Sequence, residues 1–127
     1  MHDLSEGDLA IRQRTVSLSA AEGRRDAVLE LTWLGRSVDQ QPREKLAPYF
    51  QQALSEALTD RARLELHFER LEHVNSSTIT AIIQFIQEAK SRKVPVTVVF
   101  DPTRRWQRLS FEALRVLSGG GLELRSV

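Results

Sequence analysis

The chain has 127 residues, 41% of them hydrophobic, a formal net charge of +1 and no cysteine. That length suits one ordinary domain, and no apolar run nears the roughly 20 residues of a membrane helix. The small net charge gives no global attraction to nucleic acid or anionic lipid, and the lack of cysteine excludes disulfides and thiolate chemistry.

Residues 1–14 are polar and charged, with Leu4, Leu9 and Ile11 as scattered apolar positions. They read as a flexible lead-in to a single domain over 15–127. The opening Met1-His2-Asp3-Leu4-Ser5-Glu6 has neither the basic nor the apolar region of a secretory signal, so a cytoplasmic location is expected. From Thr15 to Ala20, Val16, Leu18 and Ala20 alternate with polar residues, which predicts a half-buried strand. Glu22 to Arg25 makes a turn, and Ala27 to Leu34 a second strand with Leu29, Leu31 and Trp33 on one face. Two strands this close form a hairpin.

Pro42 can open a helix because a first turn needs no proline N–H. Leu46, Phe50, Ala53, Leu54, Ala57 and Leu58 then recur at helical spacing up to Thr59. Pro48 leaves the helix start open. Leu64, Leu66 and Phe68 alternate with Glu65, His67 and Glu69, a strand with one dry and one wet face. Ile79, Ile82, Ile83, Ile86 and Ala89 mark a helix between Ser77 and Arg92. Val94 to Phe100 is a β-branched run expected at the centre of a sheet. Thr103 to Ser118 returns to helical spacing through Trp106, Leu109, Ala113, Val116 and Leu117. Gly119-Gly120-Gly121 ends that helix, and Leu122 to Leu124 can form a last strand. The order β-β-α-β-α-β-α-β predicts an α/β fold. Its sheet is mixed but mainly parallel, with helices packed largely on one face.

The stretch that carries chemistry is Leu71-Glu72-His73-Val74-Asn75-Ser76-Ser77-Thr78-Ile79, set between a strand and a helix. Asn75, Ser76 or Ser77 can cap the helix, since a side-chain oxygen there accepts from an amide two or three positions on. The same geometry suits a phosphate, because a helix start offers unpaired amides and the positive end of the helix dipole. A neutral Asn75 beside an acceptor serine repels an incoming phosphate less than a carboxylate would.

On these residues the chain resembles the STAS-domain anti-sigma factor antagonists from about Thr15 to Leu124. Asn75 stands at the acidic position of their signature, Ser76 at the phosphoacceptor, Ser77 at the next hydroxyl, and Thr78 and Ile79 at the glycine and leucine. Gly35 and Asp39 are similar to a Gly-x-Leu-Asp element after an early strand, one residue longer here. Asn before the acceptor and a hydroxyl in the glycine position bring the chain closer to the SiaC-type regulatory phosphoproteins. The resemblance implies a STAS-like domain acting as a partner-switching regulator, with Ser76 as phosphorylation site and Ser77 as second choice. It implies a partner surface of Asn75, Ser76, Ser77, Thr78, Ile79 and Asp39. It further implies a serine protein kinase, a PP2C-like phosphatase and a regulated target, either an anti-sigma-like kinase or a signalling enzyme such as a diguanylate cyclase. No catalytic role, cofactor or metal is expected.

Three rivals stand beside it: a STAS subunit of a lipid or anion transporter, a small ligand-binding module, and a hydrolase using Ser76. The last lacks nucleophile-elbow glycines around the serines, and the histidines His2, His67 and His73 have no metal-ligand spacing. Gly119-Gly120-Gly121 follows a helix and has no lysine, unlike a phosphate-cradling loop. The basic residues Lys90, Arg92, Lys93, Arg104, Arg105 and Arg108 read as solvated helix faces, so no nucleic-acid role follows. Phe85, Phe111 and Leu114 lie off the main stripes, open to either a docking patch or a wide buried face.

Overall fold

The computed structural model describes residues 3–6, 8–17, 27–37, 42–118 and 122–127. Strands β1 (Leu4–Glu6), β2 (Leu9–Ser17) and β3 (Ala27–Ser37) are joined antiparallel, in chain order. Helix α1 (Pro42–Thr59) leads to β4 (Ala62–His67), which lies parallel to β3. A short β5 (Leu71–Val74) pairs with the end of β3. Helix α2 (Ser76–Ser91), β6 (Val96–Phe100), α3 (Arg105–Ser118) and β7 (Leu122–Ser126) complete the domain. The sheet order is β1-β2-β3-β4-β6-β7, with β5 beside β3, and every pairing from β3 onward is parallel. This is the mixed, mainly parallel sheet with three helices that the element order predicts.

Side-chain alternation divides the sheet into two unlike faces. In register, Ile11 faces Trp33, Leu29 and Leu31 face Leu64 and Leu66, and these face Val96 and Val98. All of them are buried in one core under the helices. Each large aliphatic side chain so buried contributes about 2 kcal/mol. The opposite face presents Arg12, Arg14, Glu30, Arg63, Glu65, His67, Glu123 and Arg125.

The N-terminal expectation is corrected. Described residues that were read as a lead-in before Thr15 form β1 and most of β2, so the sheet begins well before residue 15. The alternation Leu9, Ile11 is broken in sequence by Gln13, which occupies a core-facing position and is buried. Its amide donates to Glu56 on α1, and its backbone N–H donates to Asp3 Oδ1 at 2.9 Å. A buried polar group is tolerated where it is bonded. Residues 18–20, the end of the first predicted strand, lie outside the described residues.

The wet face of β4 also needs revision. Glu65 is only 6% exposed, because Arg125 from β7 reaches it at 2.9 Å and His67 at 2.7 Å. On α1, Leu46, Phe50, Ala53, Leu54 and Ala57 are buried as the spacing predicts, whereas Leu58 is exposed. Phe85, Phe111 and Leu114 form no docking patch, since all three are buried. Phe85 stacks on Phe50 with ring centroids 4.2 Å apart, and Phe111 stacks on Phe68 at 4.8 Å.

Gly35 sits where β3 passes from β4 to β5 and its register shifts. Its φ is +88°, and a Cβ there would meet the Asp8 carbonyl oxygen at 1.9 Å. Only glycine fits this backbone. That same carbonyl accepts the Arg36 N–H at 3.0 Å, which locks the kink.

Candidate functional site at the start of the second helix

The strand β5 was not expected from the sequence. Leu71-Glu72-His73-Val74 has only its two ends buried, a pattern without strand alternation. The strand exists because β3 offers it an edge, and because α3 holds its other side. Gln107 of α3 is fully buried. Its Nε2 donates to the carbonyls of Phe68 (2.6 Å) and Leu71 (3.1 Å), and its Oε1 accepts the Asp101 N–H at 2.7 Å. The neighbouring Trp106 indole N–H donates to the Glu72 carbonyl at 3.1 Å. The turn between β4 and β5 is thus fastened to α3, and β5 delivers Asn75 to the end of β3.

There the chain is fixed by a short hydrogen-bonded relay. The Asn75 N–H donates to the Ser37 carbonyl at 3.1 Å. Asn75, with φ −85° and ψ 170°, is the N-cap of α2, and its Oδ1 accepts the Thr78 N–H at 2.9 Å. The same oxygen accepts the Thr78 hydroxyl at 2.8 Å. Thr78 Oγ1 also lies 2.7 Å from the buried Ser37 Oγ. A hydroxyl has one hydrogen, so Ser37 donates to Thr78 and Thr78 donates to Asn75.

This geometry sorts the predicted residues. Ser76 and Ser77 are both exposed, at the first two helical positions, and Asn75 and Ile79 are half-buried. Thr78 is corrected: it is fully buried and holds the cap, so it presents nothing to a partner. Asp39 lies outside the described residues. Ser37 and Gln107 were missed as positioning residues. Ser37 stands within the Gly35 to Asp39 segment that was singled out, but nothing local marks its role, and no sequence signal marks Gln107.

Chemically, the start of α2 leaves the amides of Ser76 and Ser77 without helical acceptors, while the Thr78 amide is satisfied by Asn75. The first turn contains no acidic side chain. An anion on either serine would therefore meet donors and the positive end of a 16-residue helix without a neighbouring carboxylate in that turn. His73 is exposed on β5, and no hydrogen bond joins it to Ser76 or Ser77 among the described residues.

Two other places gather chemistry-bearing or apolar side chains. On the open sheet face, ligand atoms of Glu30, Glu65 and His67 lie within 4.8 Å of one another. Their charges are already matched, since Arg14 pairs with Glu30 at 2.8 Å and Arg125 with Glu65. Both His67 nitrogens face carboxylates, Nε2 toward Glu65 at 2.7 Å and Nδ1 toward Glu69 at 3.1 Å. The Glu69 hydrogen bond is the largest cause holding the imidazole above its ordinary value, against partial desolvation. The arrangement is that of an imidazolium between two carboxylates. Between α1 and α2, a cleft of about 220 Å³ is floored by Phe50 and Phe85. That is smaller than the sites of roughly 300–1,000 Å³ that enclose drug-sized ligands. No helix among the described residues is long and apolar enough to cross a membrane.

No family model matches the chain, and no curated protein matches it. Among solved structures, it is similar to a chain of the crystal structure of the diguanylate cyclase SiaD in complex with its activator SiaC from Pseudomonas aeruginosa. The identity is 19%, the TM-score 0.59, and the likeness covers 100% of both chains. At that identity the likeness is one of fold.

Proposed function

We propose that this chain is a regulatory, partner-binding protein whose docking surface is switched by reversible phosphorylation of Ser76. The observation that carries the reading is the placement of Ser76: exposed at the first position of α2, beside free amides, on a cap that Asn75, Thr78 and Ser37 hold rigid. A phosphoserine there adds about −1.5 to −2 charges at neutral pH. The cap keeps the backbone in place, so the phosphate changes the surface and not the fold. Unmodified, Asn75, Ser76, Ser77 and Ile79 with the adjoining face of α2 bind the target; the phosphate breaks that contact by charge and desolvation.

The fold likeness to a chain from a cyclase–activator complex supports a signalling enzyme of the diguanylate cyclase kind as target. A serine kinase and a PP2C-like phosphatase complete the cycle, and the chain itself performs no catalysis. It works in the cytoplasm. Ser77 is the second choice of acceptor.

The test is phosphorylation by the serine kinase encoded nearest to this chain, mapped by mass spectrometry, followed by binding to a diguanylate cyclase. Phosphate on Ser76, with a Ser76→Ala variant that binds and a phosphorylated protein that does not, is the expected result. Phosphate confined to positions outside 76–78, or equal binding by both forms, overturns the switch.

A further inference from the structure

Among its described side chains, helix α3 turns part of its expected apolar stripe away from the core. The stripe expected to face the core is Trp106, Leu109, Ala113, Val116 and Leu117, and the side chains of Val116 and Leu117 lie outside those described. Among the described side chains, those that α3 buries are Gln107, Phe111 and Leu114. The reason is the three hydrogen bonds of Gln107, which satisfy the backbone of Phe68, Leu71 and Asp101 and so set the roll of the helix. With about 100° per residue, Leu109 then points roughly 160° away from Gln107. Leu109 is 58% exposed, Ala113 is exposed, and Trp106 is half-buried.

Beside this stripe stand Arg105, four residues before Leu109, and Arg108, both exposed. Neither pairs with a carboxylate among the described residues. Glu112 is the only acidic side chain described on the helix. A partly exposed apolar ridge flanked by cations that have no carboxylate partner among the described residues matches an apolar ridge flanked by carboxylates. A second copy of the chain would bring one carboxylate, Glu112, against two arginines and leave the face unbalanced.

We propose that this outer face of α3 is a docking surface for an acidic amphipathic helix of a partner protein. Leucine-like side chains of that helix cover Leu109, Ala113 and the open edge of Trp106, and its glutamates meet Arg105 and Arg108. The surface is separate from Ser76 and does not rest on phosphorylation there. A physical link to that site is the Trp106 indole, which holds the Glu72 carbonyl on the strand leading to Asn75.

The test uses the whole chain and a fluorescein-labelled peptide of about 18 residues, long enough to form a helix. Leucines are placed on one face and glutamates beside them, and binding is read by anisotropy. Saturable binding is expected, weakened about tenfold by Leu109→Ser. It is also weakened by Arg105→Glu with Arg108→Glu, reduced by added salt, and unchanged in Ser76→Ala. A peptide with lysines for glutamates should not bind, and the glutamate peptide should slow amide exchange along 105–114. Leu109→Ser lies on the surface, so an unchanged thermal melt separates lost docking from lost folding. No saturable binding, equal binding of the lysine peptide, or indifference to Leu109→Ser overturns the proposal. So does a dimer seen by light scattering that Leu109→Ser dissolves, since that assigns the face to a second copy.

Discussion

The hydroxyls of Ser37, at the end of β3, and Thr78, in the first turn of α2, lie 2.7 Å apart with both side chains buried. They couple the central strand of the sheet to the helix that presents Ser76. Thr78 passes the bond on to Asn75, so the cap is held from within the fold as well as by its own chemistry.

Thr78→Val keeps the shape but removes the donor to Asn75 and the acceptor for Ser37. It should cost about 1–3 kcal/mol, since it strands a buried hydroxyl. Ser37→Ala should cost less, because Thr78 keeps its bond to Asn75. The double variant should lose less than the sum of the two, as expected for residues in one network. Urea midpoints of the four proteins measure the coupling, and strict additivity would refute the relay.

Asn75→Ala removes the cap and should destabilise by about 1 kcal/mol. Asn75→Asp should act in two directions. Its carboxylate still accepts from Thr78 and adds about 0.3–1 kcal/mol at a helix start that has no acidic residue of its own. The same charge opposes a phosphate on Ser76. Thermal melts should therefore rise while phosphate occupancy, read by intact-mass spectrometry under fixed kinase conditions, falls.

His67 contributes a pH dependence of known sign. Its folded pKa is raised, chiefly by the Glu69 hydrogen bond. The stability it adds is fully present below the unfolded value of about 6.5 and is lost as pH rises through the higher folded value. Glu69 runs the other way. Desolvation raises its pKa, but the His67 and backbone hydrogen bonds and nearby cations outweigh that and leave it lowered. Its contribution is present above the unfolded value and is lost as pH falls through the folded one. An NMR titration should place the His67 midpoint above 6.5, and Glu69→Gln should bring it down. An unmoved midpoint would mean that the pair does not form.

Gln107→Leu fills the same space but leaves the Phe68 and Leu71 carbonyls and the Asp101 N–H without partners. A loss of about 3 kcal/mol is expected. Amide exchange should accelerate first in Leu71–Val74, before the strands β3 and β6. Uniform acceleration across the sheet would show that Gln107 supports the core in general and not β5.

Much of the architecture was written in local periodicity. Leu64, Leu66 and Phe68 declared a two-faced strand, Val94 to Phe100 a covered one, and Ile82, Ile86 and Ala89 a helix, because one buried face leaves a period that any reader of the chain can see. A cap among Asn75, Ser76 and Ser77 was equally legible, since capping depends on residues three apart, and the structure assigns it to Asn75. What stayed hidden has long-range causes. The early strand over Leu9 to Ser17 is masked by Gln13, whose burial makes sense only once Glu56 of α1 is placed beside it. The strand Leu71–Val74 exists through its edge on β3 and its bonds to α3. The roll of α3 was decided by Gln107, which met the backbone groups of Phe68, Leu71 and Asp101 that needed partners.

For this protein the sequence alone determined the mainly parallel α/β sheet and placed Asn75, Ser76 and Ser77 at a helix start, because both follow from short-range pattern and capping chemistry. Only the tertiary structure decided that Thr78 faces inward to Ser37, that Glu65 is buried beneath Arg125, and that Leu109 faces out. Those outcomes depend on which distant groups meet, and hydrogen bonds and charges removed from water must find partners wherever the fold brings them.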